Sequence, residues 1–232
     1  MNKGYIYSKN HIFFGNKQIL GYGEDFFYVK IIKRDLANEI IKKNHYSHKF
    51  YTASYIHLGV FINKSLFGVL QFGYAMNPAS AKSVVKETGI NEYLELNRMW
   101  LDDKAEKNSE SKAISYCIHF IKGAYPKIKW IQSFADERCG KFGIVYQAAN
   151  FDYYGEHDSI FWEVEGEVFH NSLMTRNPNL TKSAKYLQEN KEKAISYKLR
   201  QFRYLYFIDK RKKKDCLLEK KVYPKHYKEG DL

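Results

Sequence analysis

The clearest periodic signal in the chain runs from Ser109 to Lys122. There Ile114, Cys117, Ile118 and Ile121 fall at i, i+3, i+4 and i+7, one apolar stripe of a helix. Asn108 or Ser109 is placed to cap its start and Gly123 to end it. A second helical pattern carries Leu36, Ala37, Ile40 and Ile41 behind Asp35, a candidate cap, and runs into Asn44-His45-Tyr46-Ser47-His48. Strand patterns cover Phe26–Ile32, Ser54–Ile62, Leu66–Gly73, Tyr93–Leu101, Ile128–Ala135 and Phe161–Phe169. Another begins at Phe151–Tyr154, and Phe202–Ile208 is strongly β-prone. Asn63-Lys64-Ser65 reads as a hairpin turn, and Gly143–Ala149 as a short helix. Residues 1–26 are aromatic and weakly patterned, suiting short strands or a hairpin. Residues 171–197 are polar, loop-like or helical, with Pro178 as punctuation. This order predicts an α/β protein with a mixed sheet flanked by helices. It divides into an N-terminal aromatic segment (1–28), an α/β core (29–170) and a C-terminal extension (171–232) with a strand at about 202–208.

Charge singles out that extension. Residues 181–232 hold 16 lysines and arginines against 7 acidic residues, which is most of the net +12. Basic surplus of this kind points to a polyanion, nucleic acid or membrane surface. No apolar stretch approaches membrane-spanning length, and no membrane partner is expected. Within the extension, Lys210, Arg211, Lys212, Lys213 and Lys214 form an unbroken basic run, either a solvated surface or a set of phosphate contacts. Cys117, Cys139 and Cys216 form no CxxC pair, which excludes a zinc knuckle and, with no hydrophobic signal core at Met1–Tyr5, favours a reducing, cytoplasmic setting.

Several residues stand out chemically. Asp136 lies at the C-terminal end of a predicted strand, the edge where open α/β sheets bind ligands; a loop or cap aspartate is the plain alternative. Arg98 lies inside an otherwise apolar strand, which is costly without a partner. It either holds a phosphate or carbonyl, or pairs internally with Glu95, Asp102 or Asp136. Strict alternation places Glu95 and Asn97 on one sheet face and Arg98 on the other. Asn108-Ser109-Glu110-Ser111 opens the best helix, whose free N–H groups attract anions or are simply capped. His45 and His48 end the first helix without an obvious third metal ligand, so no metal site is expected.

Taken in order, a set of short motifs goes further. Asn44-His-Tyr-Ser47, His57-Leu-Gly-Val-Phe61, Gly68-Val-Leu-Gln-Phe-Gly73, Glu95-Leu-Asn-Arg-Met99, Asn108-Ser-Glu-Ser111, Ser133-Phe-Ala-Asp136 and Arg203-Tyr-Leu-Tyr-Phe-Ile208 together resemble the phage Mom family. The likeness spans roughly residues 29–210. The stretch from Leu94 to Phe151 also resembles the cofactor half of GNAT-type acetyltransferases. The resemblance implies a GNAT-like fold and an enzyme that converts the N6 amine of adenine in DNA to a carbamoylmethyl form. It implies a phage- or prophage-encoded protein that acts in a host cell and protects phage DNA from restriction.

It also implies roles. Asp136 would orient or deprotonate N6, and Tyr146 would protonate the leaving group. Arg98 with Asn108, Ser109 and Ser111 would hold the donor. His45 would belong to the site, and Tyr46 would stack on an extruded base. Acetyl-coenzyme A is the donor that the fold suggests. The helix start here has no glycine between Ile90 and Gly123, unlike the glycine-rich coenzyme A loop, which leaves room for a glycine-derived donor such as glycyl-tRNA. Two other readings stay open: an acyltransferase acting on protein, RNA or a small molecule, and a non-catalytic nucleic-acid-binding module. Target sequence context and oligomeric state are not legible.

Overall fold

The computed structural model describes residues 4–7, 19–140 and 142–225. Ten strands form one sheet: β1 (Gly4–Tyr7), β2 (Ile19–Glu24), β3 (Phe27–Ile31), β4 (Ser54–Ile62), β5 (Ser65–Gly73), β6 (Tyr93–Leu101), β7 (Trp130–Asp136), β8 (Asp152–Val164), β9 (Glu167–His170) and β10 (Ile195–Phe207). Their spatial order is β1-β2-β3-β4-β5-β6-β7-β10-β8-β9. Every neighbouring pair is antiparallel except β6 and β7. Among the described residues no helix is long and apolar enough to cross a membrane.

The helices are α1 (Arg34–Asn44), α2 (Ser109–Ala124), α3 (Ile144–Ala148) and α4 (Lys182–Glu189). Alternation along β5 sends Val69 to one face and Leu70 and Phe72 to the other. Val69 packs with Ala37 and Ile41 of α1, whereas Leu70 and Phe72 join the main core with Ile114, Cys117, Ile118 and Ile121 of α2. The two helices thus cover opposite faces of the sheet. The apolar stripe read in Ser109–Lys122 is the buried face of α2, and burying it is the main force holding α2 to β2 and β3.

Two features shape the functional region. First, β6 and β7 pair only over Tyr93–Leu96 and Trp130–Ser133, although β6 runs on to Leu101 and β7 to Asp136. The sheet is split beyond Leu96. Second, β6 carries a bulge. Gln71 pairs with Arg98 and Phe72 with Leu96, leaving Asn97 as the extra residue. A bulge shifts the side-chain alternation by one, so Arg98 faces the same side as Glu95. This corrects the expectation that strict alternation separates them.

Other sequence expectations shift in detail. Asp35 lies in the first turn of α1 rather than capping it; Lys33 is the N-cap and forms no side-chain cap bond. Asn108 is the N-cap of α2 with a left-handed φ of 70° and likewise no side-chain cap bond. Phe161–Phe169 is not one strand. Glu165 and Gly166, at φ 52° and 81°, turn the chain back between β8 and β9, as a two-residue hairpin requires. The C-terminal strand starts seven residues earlier than its apolar pattern, at Ile195, and sits between β7 and β8. The N-terminal hairpin appears as β1 against β2, with 8–18 outside the described residues.

Candidate active site

A cavity of about 420 Å³ opens on the α1 side of the sheet, within the ~300–1,000 Å³ typical of ligand pockets. Alternation builds its floor and walls. Gln132, Phe134 and Asp136 project from β7, Gln201 and Arg203 from β10, His157, Ser159 and Phe161 from β8, and Glu95 and Arg98 from β6. The loop after α1 supplies Tyr46 and Ser47. A roof comes from Met76, Asn77 and the 3-10 turn Pro78–Ser83.

Asp136 is buried and caps the short turn Glu137–Cys139 by accepting from the Arg138 backbone N–H. The Arg138 Nε also donates to both carboxylate oxygens, at 3.0 and 3.1 Å, and its Nη2 to Oδ2. The Tyr46 hydroxyl donates to Oδ2 at 3.3 Å. Burial alone would raise the Asp136 pKa, but the Arg138 donors outweigh it and hold the carboxyl below its ordinary value. Arg138 is sandwiched, its guanidinium 5.2 Å from the Tyr46 ring centroid and 4.6 Å from that of Phe161.

Glu95 is the opposite case. Its carboxylate accepts from two neutral amides, Gln132 Nε2 at 2.8 Å and Asn97 Nδ2 at 3.1 Å. Among the described residues no cation lies within ion-pairing distance. Burial raises its pKa above the ordinary glutamate value, against the smaller opposing effects of those amides and of Arg98 and Arg203. One cavity therefore holds two carboxylates whose surroundings push them apart, the pattern that separates acid and base roles.

Arg98 answers the cost of a mid-strand cation with backbone carbonyls. Its Nε donates to the Lys49 carbonyl at 2.8 Å and its Nη1 to that of Asn97 at 2.6 Å. None of the three partners considered from the sequence, Glu95, Asp102 or Asp136, pairs with it directly. His45 is buried and is not among the residues lining the cavity. Its Nδ1 accepts from the Ser47 N–H at 3.1 Å, and its ring lies 4.3 Å from that of Tyr46. Burial, then Arg98, lowers its pKa to about 3, so at neutral pH it is an uncharged prop behind Tyr46.

Asn108, Ser109 and Ser111 lie elsewhere, in a second hollow of about 340 Å³ at the start of α2, shared with Lys107, Lys112 and Ala148. Tyr146 lies on the α2 side too. It packs against Phe151 and Tyr204 and lies near Ser133, the residue at which β6–β7 pairing ends. Burial pushes its pKa up to about 12, so it carries its proton at neutral pH. The split between β6 and β7 thus has the 420 Å³ cavity on one face and Tyr146 on the other.

Lys210–Lys214 lies in a 3-10 turn beyond Phe207, which pairs with Trp130. Asp136 is at the other end of β7, roughly 20 Å away at strand rise. Arg211 pairs with Asp209, Lys212 with Asp215 and Lys213 with Asp152. Among the described residues no group of three or more His, Cys, Asp and Glu side chains is placed to hold a metal ion.

Sequence reasoning missed Arg138, Gln132, Gln201 and Glu95 as site residues. Gln132 was findable, since it shares the face of Asp136 in a mostly apolar strand. Glu95 was hidden by the bulge.

Fold and cavity define a class: an α/β protein with a mixed, split sheet and a largely polar cavity on one face of the split. The chain belongs to the Mom protein family, whose family model matches residues 26–225. It is 48% identical over 211 residues to the methylcarbamoylase Mom of Escherichia phage Mu, covering 90% of this chain and 88% of that protein. Solved structures with similar folds include the ribosomal-protein-S5-alanine acetyltransferase of Vibrio fischeri, with 10% identity, 82% of this chain, 98% of that chain and a TM-score of 0.47. Another is yncA of Salmonella typhimurium, a putative acetyltransferase with its cofactor acetyl-CoA, with 10% identity, 79% of this chain, 95% of that chain and a TM-score of 0.47.

Proposed function

We propose that this protein is a DNA-modifying transferase that converts the N6 amine of adenine to its carbamoylmethyl form, protecting phage DNA from restriction. The observation that carries the reading, beside family membership, is the pair of unlike carboxylates in one aromatic-walled cavity. An adenine rotated out of the duplex meets Phe134 and Phe161 as aromatic walls. Gln201 suits its edge. Its Nε2 is buried beside Asp136, near enough to help hold that carboxyl down, yet forms no hydrogen bond of acceptable geometry. A glutamine amide pairs with adenine N6 and N7.

The N6 lone pair is delocalised into the ring, so attack needs an acceptor for its proton. Asp136, held ionised by the Arg138 donors, orients the amine. Glu95 takes the proton. N6 attacks the acyl carbon of the donor, the bond from that carbon to its carrier breaks, and Tyr146 protonates the departing carrier atom, which leaves an N6-acyl adenine. The donor is an activated acyl group whose carrier lies at Asn108, Ser109 and Ser111, with Arg98 holding a donor oxygen. Acetyl-coenzyme A and a glycine-derived donor such as glycyl-tRNA both supply an activated acyl carbon. Acyl transfer from an acetyl donor stops at N6–C(=O)–CH3. From a glycyl donor it gives N6–C(=O)–CH2–NH2, whose free amine then attacks ring C6 through a five-membered ring and expels the former N6 as the terminal amide, so that NH–CH2–C(=O)–NH2 stands on C6 with every atom accounted for. Lys210–Lys214 adds phosphate contacts.

Mass spectrometry of DNA nucleosides from cells making the protein tests the reading. Carbamoylmethyl adenine should appear with the native chain and vanish with Asp136→Asn and Glu95→Gln. Unmodified adenine alongside acylation of a protein, RNA or small molecule would overturn it. Labelled glycine or labelled acetate in the growth medium identifies the donor.

A further inference from the structure

A base cannot enter the cavity without leaving a gap in the duplex. Proteins that hold such gaps open insert an apolar side chain between base steps. Two large side chains that line the cavity are also strongly exposed, Tyr46 at 48% and Met76 at 52%. Tyr46 is accounted for within the protein. Its hydroxyl is tied to Asp136, and its ring packs on His45 and under Arg138.

Met76 has no such tie. Its backbone, by contrast, is fixed on both sides. The Tyr74 carbonyl accepts from Asn97 Nδ2 at 3.1 Å. Ala75 is buried in the cluster of Val84, Val85, Tyr93 and Trp130. Asn77 then opens the 3-10 turn Pro78–Ser83, its carbonyl accepting from the Ser80 N–H at 3.1 Å. A firmly anchored main chain therefore presents a bare thioether at the rim of a polar cavity, where burial in the protein gives it nothing. The same roof carries Lys82, exposed and without an ion-pair partner among the described residues, placed for a phosphate beside the opened step. An unbranched, polarisable side chain adapts well to a partly unstacked pair of bases.

Resting on the adenine reading above, we propose that Met76 is the wedge that enters duplex DNA and fills the place vacated by the adenine rotated into the cavity.

The experiment uses the purified full chain and duplexes with 2-aminopurine at the target position, whose fluorescence rises when the base leaves the stack. The probe stands opposite either thymine or an abasic site. With thymine opposite, the native chain and Met76→Leu should raise the fluorescence, and Met76→Ala and Met76→Gln should lose about tenfold of that rise, as expected when an inserted side chain no longer offsets unstacking. With an abasic site opposite, all four proteins should raise it equally, because no pair has to be broken. Equal fluorescence from native chain and Met76→Ala on the thymine duplex would overturn the proposal. So would an equal deficit of Met76→Ala on both duplexes, which means general loss of binding. The assay needs no donor, so its failure is distinct from failure of the transferase reading. A Met76-dependent rise with cellular DNA left unmodified removes the chemistry and keeps the wedge. Modified DNA without such a rise does the reverse.

Discussion

Glu95 and Asp136 show how the same functional group takes different work from its neighbours. Glu95 is surrounded by neutral amides and buried, so its pKa lies above the ordinary glutamate value. A base acts only after losing its proton, so kcat/KM should rise with pH through that raised pKa. The acid limb should sit above the usual ~4.3 of glutamate, and a pH–rate profile with Glu95→Gln should lack it along with most of the activity. Asp136 carries the reverse shift. A depressed folded pKa contributes stability that is present above the unfolded value and lost as pH falls through the folded one. Arg138→Ala removes the donors that hold the carboxyl down and leaves a buried charge unpaired. The expected cost at neutral pH is about 2–3 kcal/mol, toward the low end for a broken buried pair because Arg138 is itself partly exposed. Denaturant unfolding should show the gap from the native chain closing in acid. Of these residues only Asp136 was legible as a site residue in the sequence, at the end of a strand whose apolar run announced it. Glu95 looked like half of an alternating pair. The two-residue step from Asp136 to Arg138 crosses a turn whose geometry no periodicity encodes.

At the scale of elements, what the sequence reveals follows how much of each element is buried on one face. β6 and α2 have one dominant apolar face and were readable nearly to the residue. β8 and β10 were not. Their outer halves, His157–Glu163 and Ile195–Gln201, pair with each other but carry polar side chains such as His157, Ser159 and Gln201 toward the cavity. Alternation there reports the site rather than a core. The split between β6 and β7 is likewise silent in sequence, because a strand that stops pairing keeps its pattern. A local consequence can be tested at Gly143, the N-cap of α3. Its φ is 82°, and a Cβ there would lie 2.4 Å from Tyr204 Cε2 and 3.1 Å from Tyr146 Cδ2. Gly143→Ala therefore combines left-handed strain with overpacking, together about 2–3 kcal/mol. It should lower the melting temperature and reduce activity further by moving Tyr146 from the split. An unchanged melting temperature would mean that α3 relaxes freely and does not fix Tyr146.

For the whole molecule, the question is how a net charge of +12 serves a cavity that is proposed to receive a neutral base. The basic run lies across the length of β7 from Asp136, and three of its five cations already face carboxylates. Lys210 lies over the Tyr206 ring, 4.6 Å from its centroid, and Lys214 makes no ion pair among the described residues. At that distance these charges can gather and hold duplex DNA, but they cannot select a base or touch the reacting atoms. Their removal should therefore be felt in affinity alone. Lys210→Gln with Lys214→Gln should weaken duplex binding several-fold at low salt and flatten the slope of log K against log salt by about 0.9 for each phosphate that is no longer neutralised. The extent of modification at saturating protein should be unchanged. Met76→Ala should do the opposite, leaving the salt slope intact while base opening fails. Binding isotherms at a series of salt concentrations separate the two. If the double substitution leaves the slope untouched, the lysine run is a solvated surface, and the phosphate-binding role belongs to cations nearer the cavity, among which exposed Lys82 on the roof is the first to test.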